Sequence, residues 1–250
     1  MRRILLRVAY DGTRYHGWQI QDNMATIEGC LNQALTELLG ISVQVAGASR
    51  TDAGVHAYDN VAVFDTDSRI PAERFAPALN ARLPEDIVVQ AAREVAGDFH
   101  PRYAQSKKTY EYRILNRRYP LPGECRFAHF VYGNLDLDAM RQAAQYIVGE
   151  HDFACFMAAG SQVKNSVRTV YALNVEKEGD MLYIRVTGNG FLYNMVRIIA
   201  GTLLEVGMKR RSPESVQEAI AAKDRQMAGP TAPAKALHLL RLEFVDGFGG

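Results

Sequence analysis

The sequence predicts an α/β fold built from two copies of a split β-α-β unit, and three observations point to it. The apolar pattern of the first half runs strand, helix, strand, strand, helix, strand, and the second half repeats that order. The 250 residues permit one large domain or two small ones with ample core. Hydrophobic residues make up 48% and charged residues 23%, a soluble globular balance, and every long apolar run is broken by charge before it could span a membrane. Two ferredoxin-like halves, residues 1–103 and 104–246, are therefore expected to share one extended, mostly antiparallel sheet with a central basic cleft. Residues 247–250 are expected to form a loose tail. Identity between the halves is slight, so the repeat rests on element order alone.

The elements follow in order. Ile4 to Tyr10 reads as a strand closed by the turn pair Asp11-Gly12. Met1 to Arg7 starts like a signal peptide, but Arg7 interrupts the apolar region too soon, so the first strand is the better reading. Thr26 is placed to cap a helix with Ile27, Leu31, Ala34, Leu35 and Leu38 on one stripe and Gly40 as its stop. Val43–Val45 and Val61–Phe64 read as strands. Pro71 opens a second helix to about Leu83, and Ile87–Val89 reads as a strand. In the second half, Thr109–Leu115 alternates as a strand with Tyr110, Tyr112 and Ile114 on one face. Asp136–Val148 reads as a helix with Gly149 after it. Val170–Val175 and Leu182–Val186 flank Glu178-Gly179-Asp180, a hairpin signal. Phe191–Val206 is a mostly apolar, buried helix; a short helix from Pro213 to Lys223 and a strand from Leu237 to Val245 complete the chain.

Net charge is +1 and gives no sign of a nucleic-acid partner, but local charge is more informative. Between Pro101 and Pro120, Arg102, Lys107, Lys108, Arg113, Arg117 and Arg118 face Glu111 alone, interleaved with Tyr103, Tyr110, Tyr112 and Tyr119. Such a run suits phosphate contact with base stacking, or equally a solvated strand face with its tyrosines in a core. Cys30, Cys125 and Cys155 are odd in number and widely spaced, without the pairing of a zinc site or a disulfide framework, which suits a reducing cytoplasm.

One segment does not read as ordinary structure. Gly47-Ala48-Ser49-Arg50-Thr51-Asp52-Ala53-Gly54-Val55-His56-Ala57 brackets small polar and ionisable residues between two glycines that allow unusual backbone. Arg50 and Asp52 are two apart and project to one side of an extended chain, where the arginine would favour the charged aspartate. A turn with a weak surface ion pair has the same composition. Ser49, His56 and Asp52 suggest a hydrolase triad, but no G-x-S-x-G elbow is present. Asp52 and His56 lack further clustered metal ligands, and a zinc deaminase would need H-x-E with P-C-x-x-C.

The segment closely resembles the active-site motif of tRNA pseudouridine synthases of the TruA type, which modify the anticodon arm. The resemblance spans nearly the whole chain. It takes in Ala9-Tyr10-Asp11-Gly12-Thr13-Arg14-Tyr15-His16-Gly17-Trp18-Gln19 and Lys107-Lys108-Thr109-Tyr110-Glu111-Tyr112-Arg113. It continues through Gly188-Asn189-Gly190-Phe191-Leu192-Tyr193-Asn194-Met195-Val196-Arg197 to Ala232-Pro233-Ala234. It implies that Asp52 is the essential nucleophile, attacking either C1′ of the ribose or C6 of the base, and that the target uridine is flipped into a pocket. Tyr110 matches a tyrosine that stacks on the uracil and assists loss of the C5 proton. Arg197 matches an arginine that pairs with the aspartate, and Leu237 an apolar pocket position. Arg50, beside Asp52, is the candidate for replacing the flipped base and contacting its phosphate. Arg14, Lys107, Lys108, Lys164 and Arg168 are the expected phosphate contacts. His16 and Trp18 are left as wall or core.

The reaction implied is an isomerisation needing no cofactor and no metal, in agreement with the absence of phosphate-loop, dinucleotide or zinc signatures. The resemblance further implies a cytoplasmic homodimer gripping one tRNA and acting at uridines 38, 39 and 40. The rivals are a non-catalytic RNA-binding or RNA-folding module using the same cleft, a synthase for another RNA, and a metal-dependent hydrolase.

Overall fold

The computed structural model describes residues 1–160, 163 and 165–245, so the tail at 247–250 and Lys164 lie outside the described residues. The elements are β1 (Arg2–Tyr10), α1 (Ile27–Leu39), β2 (Ala46–Gly47), β3 (His56–Thr66), α2 (Phe75–Asn80), β4 (Ile87–Val95), β5 (Ser106–Asn116) and β6 (His129–Val131). Then come α3 (Leu137–Gln145), β7 (Gly149–Asp152), β8 (Val167–Glu178), β9 (Met181–Gly188), α4 (Met195–Gly207), α5 (Ser215–Ala222) and β10 (Leu237–Phe244). The fold is mixed α/β and its strand pairs are mostly antiparallel, as the sequence predicts. The chain forms two compact units, one from Met1–Ser106 with the C-terminal strand from His238, the other Lys107–Leu237. The last strand, grouped by sequence order with residues 104–246, thus stands in the first unit.

In the first unit β1 lies between β3 and β4, antiparallel to both, and β10 joins β3 in parallel with His238 opposite His56. Helix α1 forms where its caps predict: the Thr26 hydroxyl accepts from Gly29 N–H at 3.2 Å, and Ile27, Leu31, Ala34 and Leu35 are buried. Phe64 of β3 meets Phe75 of α2 edge to face at 5.2 Å between centroids. A further cluster joins Leu5, Val61, Val63, Phe99, Leu242 and Phe244, so β10 contributes to the core of this unit as well as to its sheet.

Two expectations are corrected here. Val43–Val45 is no strand; the two valines are buried, but Val43 N–H donates to Thr36 Oγ1 and Val45 N–H to Asn32 Oδ1, so α1 side chains take the place of a ladder. The strand shrinks to β2, whose Ala46 and Gly47 oppose Val63 and Ala62 on β3. The edge of β3 away from β1 is therefore shared: β2 covers one end and β10 covers the His56 end. The helix expected from Pro71 to Leu83 is also shorter, a 3-10 turn at Ala72–Arg74 running into α2.

In the second unit the order is β5-β9-β8-β7, with the short β6 parallel on the other edge of β5. The hairpin β8–β9 forms as expected and is longer, turning at Gly179-Asp180. α3 begins at its Asp136 cap, which accepts from Ala139 N–H at 3.1 Å, and ends at Gln145. Gly149, read as a stop, opens β7 instead. α4 is buried at every position but Arg197 and Glu205. It starts at Met195, not Phe191, because Asn194 holds a left-handed backbone (φ 60°).

Candidate active site

The segment from Gly47 to His56 leaves the sheet at β2 and re-enters it at β3, with Ala48 N–H bonded to Val61 O at 2.8 Å where the strands part. A second loop, Asp11 to Trp18, is clamped to it. Trp18 N–H donates to Thr51 O at 3.0 Å, Gly54 N–H to Tyr15 O at 3.2 Å, and Gly12 N–H to His56 Nδ1 at 3.1 Å. The Tyr10 hydroxyl lies 2.7 Å from Thr51 Oγ1, and the Asn60 amide donates to both Tyr10 Oη and Ser49 O. Thr51 and His56, on either side of Asp52, are thus bonded, whereas the buried Ser49 hydroxyl has no hydrogen-bond partner among the described residues; Val55 N–H closes a turn on Asp52 O at 3.1 Å.

The glycines act in different ways. Gly17 (φ 89°) and Gly54 (φ 78°) hold positive φ, and a Cβ on Gly17 would sit 2.6 Å from Thr51 O. Gly47 needs space rather than φ freedom: a Cβ there would lie 2.3 Å from Nε1 of the buried Trp18. Trp18 is therefore the floor of the loop, which settles its place in the core; His16 is exposed. The outcome is a half-buried Asp52 carboxylate on a braced loop, with Arg50 exposed two residues before it. Burial lowers the Arg50 pKa and the charge of Arg102 lowers it further, against an opposing pull from Glu28. Arg14 is bound to Asp86 (Nε–Oδ2 2.8 Å), an acid that also accepts from Tyr15, so this expected phosphate contact is part of a local ion pair.

The second unit holds its candidates in a comparable way. Tyr110 on β5 is buried, opposite Val186 on β9, and meets Phe191 edge to face at 5.3 Å. Arg197, at the start of α4, donates to Ala232 O (2.8 Å) and Asn194 Oδ1 (2.7 Å), and its carbonyl accepts from Ala232 N–H at 3.1 Å. Tyr112, which the sequence places on one strand face with Tyr110 and Ile114 and gives no role in the site, donates to Pro233 O at 3.0 Å; burial raises its pKa while Arg197 acts the other way. Arg197 and Tyr112 together fix the segment leading to the buried Leu237. This explains why Ala232-Pro233-Ala234 and the Arg197 segment occur in one sequence: each holds the other. Lys107 lies over the Tyr171 ring at 5.4 Å, and Lys108 is half-buried on β5. Arg168 is half-buried, donates to Asn165 O and Val167 O, and has its pKa lowered by burial.

The first unit groups Arg50, Asp52 and Arg14; the second contains Tyr110, Arg197, Leu237, Lys107, Lys108 and Arg168. Among the described residues no group of three or more His, Cys, Asp or Glu is placed to hold a metal ion, and no helix is long and apolar enough to cross a membrane.

The family profile described as tRNA pseudouridine synthase matches residues 7–104 and 143–245, most of both units. The chain belongs to the tRNA pseudouridine synthase family. As such it is an isomerase. Similar relatives are a tRNA pseudouridine synthase A of Ruminiclostridium cellulolyticum, 48% identical across 98% of this chain and 100% of that one, and one of Thermoanaerobacter sp., 45% identical across 97% and 99%. A Brevibacillus brevis protein of the same name is 48% identical across 95% of this chain and 97% of its own. A chain from a crystal structure of a Cbf5-Nop10-Gar1 complex covers 94% of this synthase, at a TM-score of 0.38 and 13% identity, and 57% of itself is covered. The loops around Asp52 and Arg197 both fall inside the matched residues of the synthase.

Proposed function

We propose that this enzyme converts uridine to pseudouridine in the anticodon arm of tRNA, at positions 38, 39 and 40, with Asp52 as the nucleophile. The supporting observation is the loop itself. Two glycine-bearing segments, a buried indole and backbone hydrogen bonds brace the chain that carries the half-buried Asp52, an arrangement costly to maintain for a surface turn. The reaction breaks the bond from uracil N1 to ribose C1′, turns the base and rejoins it through C5, where a proton is lost. Covalent attack by Asp52, at C1′ or at C6, divides that exchange into easier steps. The base must leave its stack to reach the carboxylate. Tyr110 takes the role of stacking on the uracil and assisting C5 deprotonation, Arg197 that of the cation favouring an ionised carboxylate, and Leu237 that of an apolar wall. Arg50 fills the space of the flipped base, and Arg14, Lys107, Lys108, Lys164 and Arg168 meet phosphates. The enzyme acts in the cytoplasm as a homodimer on one tRNA and needs neither metal nor cofactor.

The test is release of tritium from C5-labelled uridine in unmodified tRNA, without added metal, by the wild type and by Asp52→Asn. Release by the wild type and none by the variant is expected. Bound tRNA with no release by either protein would leave a binding module and remove the catalytic reading.

A further inference from the structure

The basic, tyrosine-rich run after Pro101 is sorted by the fold. Tyr110 and Tyr112 are buried, whereas Tyr103 is 79% exposed and Tyr119 63%. An exposed tyrosine is ordinary, but Tyr103 stands on a braced turn of the first unit. Phe99 N–H bonds to Ala96 O (3.0 Å), and Tyr103 N–H and Ala104 N–H both bond to His100 O (3.1 and 3.0 Å). Arg3 donates to Phe99 O at 2.9 Å, and the buried Phe99 ring meets Phe244 of β10 at 5.0 Å. The His100 ring lies 4.4 Å from the Tyr103 ring, tilted by 34°, and backs one side of it.

The cation beside this ring is the second observation. Arg102 is exposed next to Tyr103, and its charge reaches Arg50, two residues from Asp52. Among the described residues no carboxylate forms an ion pair with either arginine, whereas Arg3, Arg7 and Arg14 of the same unit each hold an aspartate. Glu28 pulls on Arg50 in the opposite sense, so Arg102 is the cation beside the ring that an anion can take up. A phosphate is such an anion, and it arrives attached to a base with a π-face.

We propose that Tyr103, backed by His100 and with Arg102 beside it in the chain, is a nucleotide subsite: an unpaired base of the RNA substrate stacks on Tyr103, and Arg102 grips its adjoining phosphate. The proposal rests on the reading of Asp52 as the residue that meets the target uridine. It assigns the stacked nucleotide a place outside the uracil pocket, and it is tolerant of base identity because every base offers a face.

The experiment uses an unmodified tRNA transcript, measuring binding by fluorescence anisotropy and turnover by tritium release, with Tyr103→Ala, Tyr103→Phe and Arg102→Gln. Tyr103→Ala is expected to weaken binding about tenfold and raise KM in proportion, with kcat at saturating RNA unchanged, since stacking of this kind acts on binding. Tyr103→Phe keeps the ring and is expected within twofold of the wild type. Arg102→Gln should weaken binding and lower the slope of log affinity against log salt by about one. Binding by Tyr103→Ala within twofold of the wild type, or an equal loss in Tyr103→Phe, would overturn the subsite. If the wild type released no tritium while Tyr103→Ala still bound RNA poorly, the catalytic reading would fail and the subsite would stand.

Discussion

Gly47 shows what a residue contributes by having no side chain. Its missing Cβ is the space in which Nε1 of Trp18 lies, so Gly47→Ala forces the indole and the Asp52 loop apart. Overpacking at such a contact costs about 1–3 kcal/mol. The variant should unfold at lower urea concentration and lose turnover beyond what its lowered stability explains; retained stability and rate would mean that the loop yields freely. The Asp52 loop stands out in the sequence because its unusual composition is local, but that composition also suits a turn, and only the family resemblance reads it as an active site. Its mechanics were not legible, because Trp18 and Gly47 are distant in the chain and no periodicity links them. Gly54 does use the backbone freedom the sequence suggests, with φ 78°. The Arg50 guanidinium answers to Arg102 and Glu28, a neighbourhood that the Arg50–Asp52 spacing alone does not reveal.

At the scale of elements, α1 was legible from end to end because Thr26 and Gly40 are local signals. The strand at Val43–Val45 was not, since buried valines look the same whether a neighbouring strand or the side chains of Asn32 and Thr36 satisfy their backbone. The start of α4 was misread for a related reason: Phe191 and Leu192 continue an apolar pattern, but Phe191 packs on Tyr110 from a loop that Asn194 turns. α4 itself depends on a close approach. A Cβ on Gly201 would lie 1.8 Å from Pro230 O, on the chain that Thr202 holds through Gly229 N–H at 2.8 Å. Gly201→Ala is therefore expected to destabilise by about 1–2 kcal/mol net of its better helix propensity, and to reduce activity by displacing the segment that Arg197 and Tyr112 hold. Urea unfolding checks the first effect and tritium release the second. A gain in stability would mean that propensity outweighs the contact.

For the molecule as a whole, three carboxylates tie stability to pH. Asp65 is held below its ordinary value of 3.8 first by its hydrogen bond to Arg3. Asp136 is held low by the Ala139 N–H and then Lys209, and Asp152 by Ser166 and then Lys223. A carboxylate with a depressed pKa in the folded state contributes stability that is present above its unfolded value and lost as pH falls through the folded one. Unfolding free energy should therefore vary little through these groups near neutrality and decline below about pH 4. Asp65→Asn should make that decline shallower; an unchanged acid limb would assign the loss to other groups. Each of these three groups is half-buried and open to solvent screening, so the effect is spread rather than concentrated in one switch.

The parallel strand β10 gives the order of synthesis a meaning. The first unit is discontinuous: the strand that lines up with His56, at the foot of the Asp52 loop, is translated only after the entire second unit. A nascent chain that has already emerged through Ser106 has the motif but not the edge that completes its sheet, nor the Leu242 and Phe244 side chains of its core. Domains commonly mature as they leave the ribosome; here maturation of the loop-bearing unit waits for the last strand. The sheet edge beside the Asp52 loop is thereby closed by residues that lie beyond the whole second unit in the chain.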